Sequence, residues 1–242
     1  MLSFRLPISC VLLACALNAQ AHTVALVVLV DTATEMPMAS FKQFRLVDGI
    51  HKDIGEALAA RMGRSARFMA LPRKRITKAL ETGEVDLVCS YVPEWLPGRF
   101  GWSIPFIPIT QVLITRSDAT RPRKLADLKG RRVGTVLGYS HPELEQALGD
   151  GFLREDAPSS EANLSKLTAG RIQHAVTGKS FIEYRLKKSD PPLALHPPLD
   201  VTQYMGQCAV SPKGRVTLAE VDAALTQMVH DGTINTIVAH YR

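Results

Sequence analysis

Aromatic residues are scarce in this chain, with eight Phe, five Tyr and two Trp making up 6% of 242 residues. The basic residues fall in short separated clusters, Arg73-Lys74-Arg75, Arg121 to Lys124 and Lys129 to Arg132, with no aromatics between them. That pattern lacks the stacking platforms and continuous basic track of a nucleic-acid binder, and no nucleic acid is expected as a partner. Cysteine is equally sparse. Of four, Cys10 and Cys15 lie in the first 21 residues, leaving Cys89 and Cys208. Two cysteines without a nearby His at ligand spacing exclude a structural zinc site, so no metal is expected. Gly-x-Ser-x-Gly, P-loop and His-Glu-x-x-His strings are absent, and no cofactor is expected. Also missing are solenoid-period repeats and low-complexity tracts.

What is present is enough to fold: 46% hydrophobic against 21% charged residues, with a formal net charge of +6. Length permits two modest domains. Residues 1–21 read as a secretory signal, with Arg5 as the charged region, an apolar run from Leu6 to Leu17, and Ala19-Gln20-Ala21 as the cleavage site. The run is shorter than the roughly 20 residues a bilayer core requires. A rival reading takes Leu12-Leu13-Ala14-Cys15 as a lipobox that acylates Cys15. Cleavage after Ala21 is favoured; it predicts a periplasmic protein starting at His22 with a net charge of +5. In that compartment Cys89 and Cys208 are either a disulfide or two buried thiols.

Thr23 to Val30 is a continuous Val/Leu run of the kind buried on both faces of a parallel sheet. From Gly49 the period becomes helical, with Ile50, Ile54, Ala57, Leu58 and Met62 on one face and Gly63 as a stop. A strand over 67–71, a helix over 73–82 closed by Gly83, and a strand over 85–92 complete a β-α-β-α-β order. After a Pro- and Trp-bearing loop and a strand over 111–115, the alternation restarts. Strands are expected over 132–137, 172–177, 193–196 and 207–210, and helices over 141–148, 161–169 and 180–188. Leu218, Val221, Leu225, Met228 and Val229 mark a terminal amphipathic helix, followed by a last turn or two after Asp231-Gly232.

Several strings in this order resemble the amino-acid-type periplasmic solute-binding proteins, the third family of extracellular solute-binding proteins. They are Asp48-Gly49-Ile50-His51-Lys52-Asp53-Ile54, Ala79-Leu80-Glu81-Thr82-Gly83-Glu84-Val85-Asp86-Leu87, Trp102-Ser103-Ile104-Pro105-Phe106, Leu125 to Gly134, and Asp231-Gly232-Thr233. The resemblance implies an α/β fold of two lobes, the type II periplasmic-binding-protein fold, each lobe a mainly parallel sheet flanked by helices. Lobe one would hold residues 22–113, lobe two 116–206, and residues 207–242 would return to complete lobe one. The chain would cross twice, near 114–117 and 206–208, forming a hinge that closes on a ligand. It also implies that Cys89 and Cys208 come close enough to bridge. A monomer serving an ABC permease or a membrane receptor is the implied partnership.

The best local signal for a small-molecule site is Gly138-Tyr139-Ser140-His141-Pro142-Glu143, where Ser140 and Glu143 have capping-box spacing at the mouth of a strand. The resemblance adds Asp31 and Met38 after the first strand, Arg73 and Arg75 at a helix start, and Ser90, Tyr91 and Trp95 after the third strand. Arg73 stands near a position where relatives carry an aromatic residue. The family's carboxylate-reading Arg is absent from Val92-Pro93-Glu94-Trp95-Leu96, Arg99 being the nearest substitute, and its ammonium-reading Asp aligns with about Gly178. A standard α-amino acid is thus the less expected ligand; a small polar or anionic solute, amino-acid-like or an organic acid, is the expectation. The competing class is an enzyme on the same scaffold, such as the cyclohexadienyl dehydratases. Asp31, Glu35, Glu94 or Glu183 could act as an acid, but no nucleophile–base pair is evident, and a binding protein is expected instead.

Overall fold

The computed structural model describes residues 24–241. The expected signal segment, its cleavage site and the Cys15 lipobox lie outside the described residues. Among the described residues no helix is long and apolar enough to cross a membrane.

Strand β1 (Leu26–Asp31) is buried along its whole length and pairs in parallel with β4 (Ala66–Leu71) and β5 (Leu87–Tyr91). Between β1 and β4 come a hairpin, β2 (Ser40–Lys42) and β3 (Arg45–Asp48), and helix α1 (Ile50–Arg61). α1 buries Ile50, Ile54 and Leu58 of the expected stripe, together with Ala59, while Ala57 and Met62 are half-buried. Helix α2 (Arg73–Thr82) ends on Gly83, whose φ of 76° is the left-handed turn that a Cβ would disfavour. Strands β6 (Gly101–Trp102) and β7 (Ile107–Thr115) follow, then β8 (Arg132–Val136), α3 (Pro142–Leu148), β9 (Leu153–Ala157), α4 (Ser160–Thr168), β10 (His174–Gly178) and α5 (Lys179–Lys188). The chain finishes with β11 (Leu199–Val210), α6 (Leu218–His230) and α7 (Thr233–His240).

The strands form one large mixed sheet in the order β4-β1-β5-β11-β7-β10-β8-β9, with β6 beside β11. Its two ends are parallel, as the alternation predicts, but β5-β11, β11-β7 and β7-β10 are antiparallel. The long strand β11 joins the ends: residues 199–206 pair with β7 and residues 207–210 with β5, with a register shift at Gln207/Cys208. Buried apolar side chains segregate accordingly. Two clusters draw on residues 26–107 and 208–234, around Leu26, Leu58, Leu80 and Leu225. Two others draw on residues 112–182, around Ile114, Leu167, Leu128 and Val176. Cys89 and Cys208 face each other across β5 and β11, Cα atoms 3.9 Å apart, and are joined as a disulfide.

Two local expectations need correction, and two elements were not anticipated. The strand expected over 193–196 is only an isolated bridge between Leu195 and Arg116, because the flanking Pro pairs remove ladder donors. The hairpin β2–β3 went unread since its turn residues, Gln43 and Phe44, adopt positive φ without the usual Asn or Gly. β9, Leu-Arg-Glu-Asp-Ala, is an exposed edge strand whose polar sequence hides it. Finally, Ser140 and Glu143 form no capping box. Pro142 at the first helical position makes His141 the cap, without a side-chain bond, and Glu143 instead accepts the Tyr204 hydroxyl.

Candidate functional site

A cavity of about 890 Å³ opens where the ends of β1, β5, β8 and β10 converge, and residues 107–111, the first half of β7, also line it. Ligand sites commonly occupy such strand ends, and the volume lies in the usual range. Its defining charge is Arg73. Pro72 caps α2 and starts the helix at Arg73, so the side chain leaves the first turn toward the cavity. The guanidinium lies 4.5 Å from the Tyr91 ring centre and 5.1 Å from that of Tyr139. Its Nη2 donates to the Trp95 carbonyl at 2.7 Å. An Arg fork has five donors, so this one bond leaves donors for a ligand. Burial pushes both tyrosine hydroxyls above their ordinary value, keeping the rings neutral beneath the cation.

The neighbouring residues position this group. Gly138, with φ of 83°, brings Tyr139 round after β8; a Cβ there would sit 3.3 Å from Arg73 Cγ. The Tyr91 hydroxyl donates to Asp31 at 3.4 Å, and Asp31 also accepts the Ala33 N–H. Burial raises the Asp31 carboxyl above the usual range, against the N–H of Ala33 and the charge of Arg73. Trp95 meets Tyr204 edge to face at 5.3 Å. Ser90 sits buried at a φ of 62°, a conformation costing a serine about 1 kcal/mol, which turns the chain out of β5.

The structure thus brings Met38, Arg73, Ser90, Tyr91, Trp95, Tyr139, Ser140 and Gly178 to the cavity wall. Asp31 and Gly138 stand behind it, supporting Tyr91 and Arg73. Arg75 and Arg99 are exposed and do not line it. Sequence reasoning missed Gln111, whose Oε1 lies 3.2 Å from His141 Nδ1, and Thr177 at the end of β10. Glu35, nominated only as an acid, reaches across to α4, where its Oε1 accepts the Glu161 N–H at 2.7 Å. That carboxylate sits at the positive end of a helix dipole, although burial still raises its pKa. Buried atoms without partners include Ser90 Oγ, Trp95 Nε1, His141 Nε2 and Thr177 Oγ1, all on wall residues.

Buried histidines give this molecule a pH-dependent stability. His141 and His174 are 2% and 1% exposed and His51 is half-buried, and burial pushes each of the three imidazoles down to about 4. The folded chain therefore holds them neutral while the unfolded chain protonates them near pH 6.5. Stability is full above that value and falls as pH drops toward 4, by up to about 4 kcal/mol per pH unit for three protons. Asp31 and Glu35, with raised carboxyl pKa values, oppose this at the acid end. Urea denaturation at pH 7, 6 and 5 should show the decline, and His174→Gln should reduce its slope by about a third. A profile flat over that range contradicts the assignment.

The comparisons with known proteins agree with this architecture. The sequence pattern of the bacterial extracellular solute-binding proteins, family 3, matches residues 27–242. The chain is 23% identical to the probable amino-acid-binding protein YxeM of Bacillus subtilis, covering 87% of this chain and 81% of that one. It is 25% identical to ABC transporter arginine-binding protein 1 of Escherichia coli, covering 85% and 86%. Among solved structures, an ancestral arginine-binding protein bound to arginine superposes with a TM-score of 0.74 at 21% identity, over 90% of this chain and 97% of that one. The ligand-binding core of GluR0 in complex with L-glutamate gives a TM-score of 0.76 at 15% identity, over 90% and 98%. These superpositions identify the α/β type II periplasmic-binding-protein fold. With a family match that spans nearly all of the described residues, the chain belongs to the bacterial extracellular solute-binding proteins, family 3.

Proposed function

We propose that this protein captures a small carboxylate-bearing, amino-acid-like solute in the cavity and hands it to an ABC importer. The observation that carries the reading is Arg73: a guanidinium held between two neutral rings, facing a ligand-sized cavity with unused donors. The importer follows from relatives named as ABC transporter binding proteins. Export through the segment 1–21, with cleavage after Ala21, suits a partner in the membrane.

The separated core clusters support two lobes, the first of residues 22 to about 107 with 207–242 and the second from about 112 to 206, so that the first crossing falls before the expected 114–117. β7 leaves the first core at Ile107 and enters the second at Val112, and β11 returns at the Gln207/Cys208 shift. Two strands are then the only covalent crossings, and Arg73 against Tyr139 and Glu35 against α4 are contacts of the closed form. A bound solute touching both lobes stabilises that form.

A thermal-shift screen of amino acids and organic acids tests this. At a concentration 100 times its dissociation constant, a true ligand adds about 2.7 kcal/mol, or roughly 5–10 °C in Tm for a chain this size. Mass spectrometry of the incubated hit should recover it unchanged. Conversion to product would place the protein with the enzymes of this scaffold, and no shift with any carboxylate would overturn the reading.

A further inference from the structure

The part of the cavity wall at the end of β10 carries a second feature that Arg73 does not explain. Helix α5 begins there: Thr177, Gly178, Lys179 and Ser180 all line the cavity. The cap residue is Gly178, which has no side chain to offer, so no side chain satisfies the first N–H groups of the helix. A ten-residue helix concentrates partial positive charge at that end. Thr177, immediately before it, is 5% exposed, and its hydroxyl meets no partner. Buried hydroxyls in native proteins are overwhelmingly bonded, so an orphaned one on a cavity wall marks a position completed by a ligand. Lys179, an exposed residue that also lines the cavity, adds a positive charge on the first residue of the helix.

The balancing acids are few. Among the described residues the only carboxylates lining the cavity are Glu35 and Glu183. Glu35 is committed to the N–H of Glu161, and Glu183 is exposed one turn along α5. Neither offers the buried, free carboxylate that would hold a ligand ammonium against Arg73 and Lys179.

We infer that the α5 N-terminus, with Thr177 and Lys179, is a second anion subsite, and that the captured solute is a short dicarboxylate with one carboxylate on Arg73 and the other here. This rests on the proposed capture of a carboxylate solute and specifies its class. Titration calorimetry of the full folded chain with glutarate, L-glutamate, L-glutamine and butyrate tests it. Glutarate or L-glutamate should bind at least tenfold more tightly than butyrate and L-glutamine. Thr177→Val, which keeps the shape and removes the hydroxyl, and Lys179→Met should each cost the dicarboxylate three- to tenfold and leave butyrate within twofold. Binding of L-glutamine or butyrate as tight as that of the dicarboxylates, or dicarboxylate affinity unchanged in both variants, overturns the second subsite alone. Absence of binding by every carboxylate overturns both it and the proposed function.

Discussion

Arg73→Met should weaken binding of a carboxylate solute about 100-fold while the chain still folds. The substitution keeps an unbranched stem beside Gly138 and deletes the guanidinium between Tyr91 and Tyr139. Truncating one partner of a buried charge-assisted pair typically costs 2–5 kcal/mol, and about 2.7 kcal/mol corresponds to 100-fold. The unliganded protein loses less. Two ring contacts at about 0.5–1 kcal/mol each and the bond to the Trp95 carbonyl are the stabilising interactions removed. Because Arg73 touches Tyr139 across the cavity, the variant should also close less readily, so a scattering measurement of the unliganded chain should report a larger radius of gyration. Arg99→Ala is the control, since its exposed side chain lies off the cavity. A dissociation constant within threefold of the parent for Arg73→Met would show that the anion binds elsewhere.

Much of the fold was legible wherever period and burial coincide. Val27 to Val30 and the Ile50-Ile54-Leu58 stripe declare themselves because each residue's environment repeats along one element. The first parallel unit, β1-α1-β4-α2-β5, follows from that alone, and Gly83 marks its helix end. What escaped was set by distant partners. β11 reads from its sequence as four residues, Gln207 to Val210, yet extends from Leu199, because β7 supplies a ladder for residues that carry no hydrophobic run of their own. β9 exists as an edge on β8, and Phe44 turns a hairpin in a conformation its side chain disfavours. The site divides in the same way. Arg73, Tyr91 and Tyr139 can each be nominated from neighbours in sequence, but their stacking joins residues up to 66 apart in number and belongs to tertiary structure alone. Arg75 and Arg99 have the same chemistry as Arg73, and only the helix phase and the path of the loop after Trp95 remove them from the cavity. Gln111 and Thr177 carry no local signal: Gln111 opens the strand as the sequence reads it but lies in the middle of β7, and a polar residue near a strand end such as Thr177 is ordinarily solvent-facing.

Replacing both Cys89 and Cys208 by Ala should destabilise the protein by about 3 kcal/mol, lowering Tm by roughly 6–12 °C. The bond closes a loop across a sequence separation of 119, so its removal restores much conformational freedom to the unfolded chain. It also leaves two alanines in the core cluster that holds Leu26, Leu87 and Met228, where lost sulfur volume adds a packing penalty. The consequence reaches the cavity, because the bond fastens β5 to β11 at the register shift, one residue before Ser90 and two before Tyr91. Without that clamp, Ser90 loses part of the framework holding its left-handed turn, and the Tyr91 ring loses its fixed place under Arg73. Solute affinity should therefore fall as well, though by less than in Arg73→Met, since the charge remains. Reduction of the parent protein under denaturing conditions, followed by refolding with the thiols kept reduced, should reproduce the shift in Tm. Cys89→Ala alone should show most of the double variant's loss, because either substitution opens the loop and only the packing cost at Cys208 is spared. If both changes together cost less than about 1 kcal/mol, the stability of the β5–β11 junction resides in its ladder and packing, and the bond contributes little to the site.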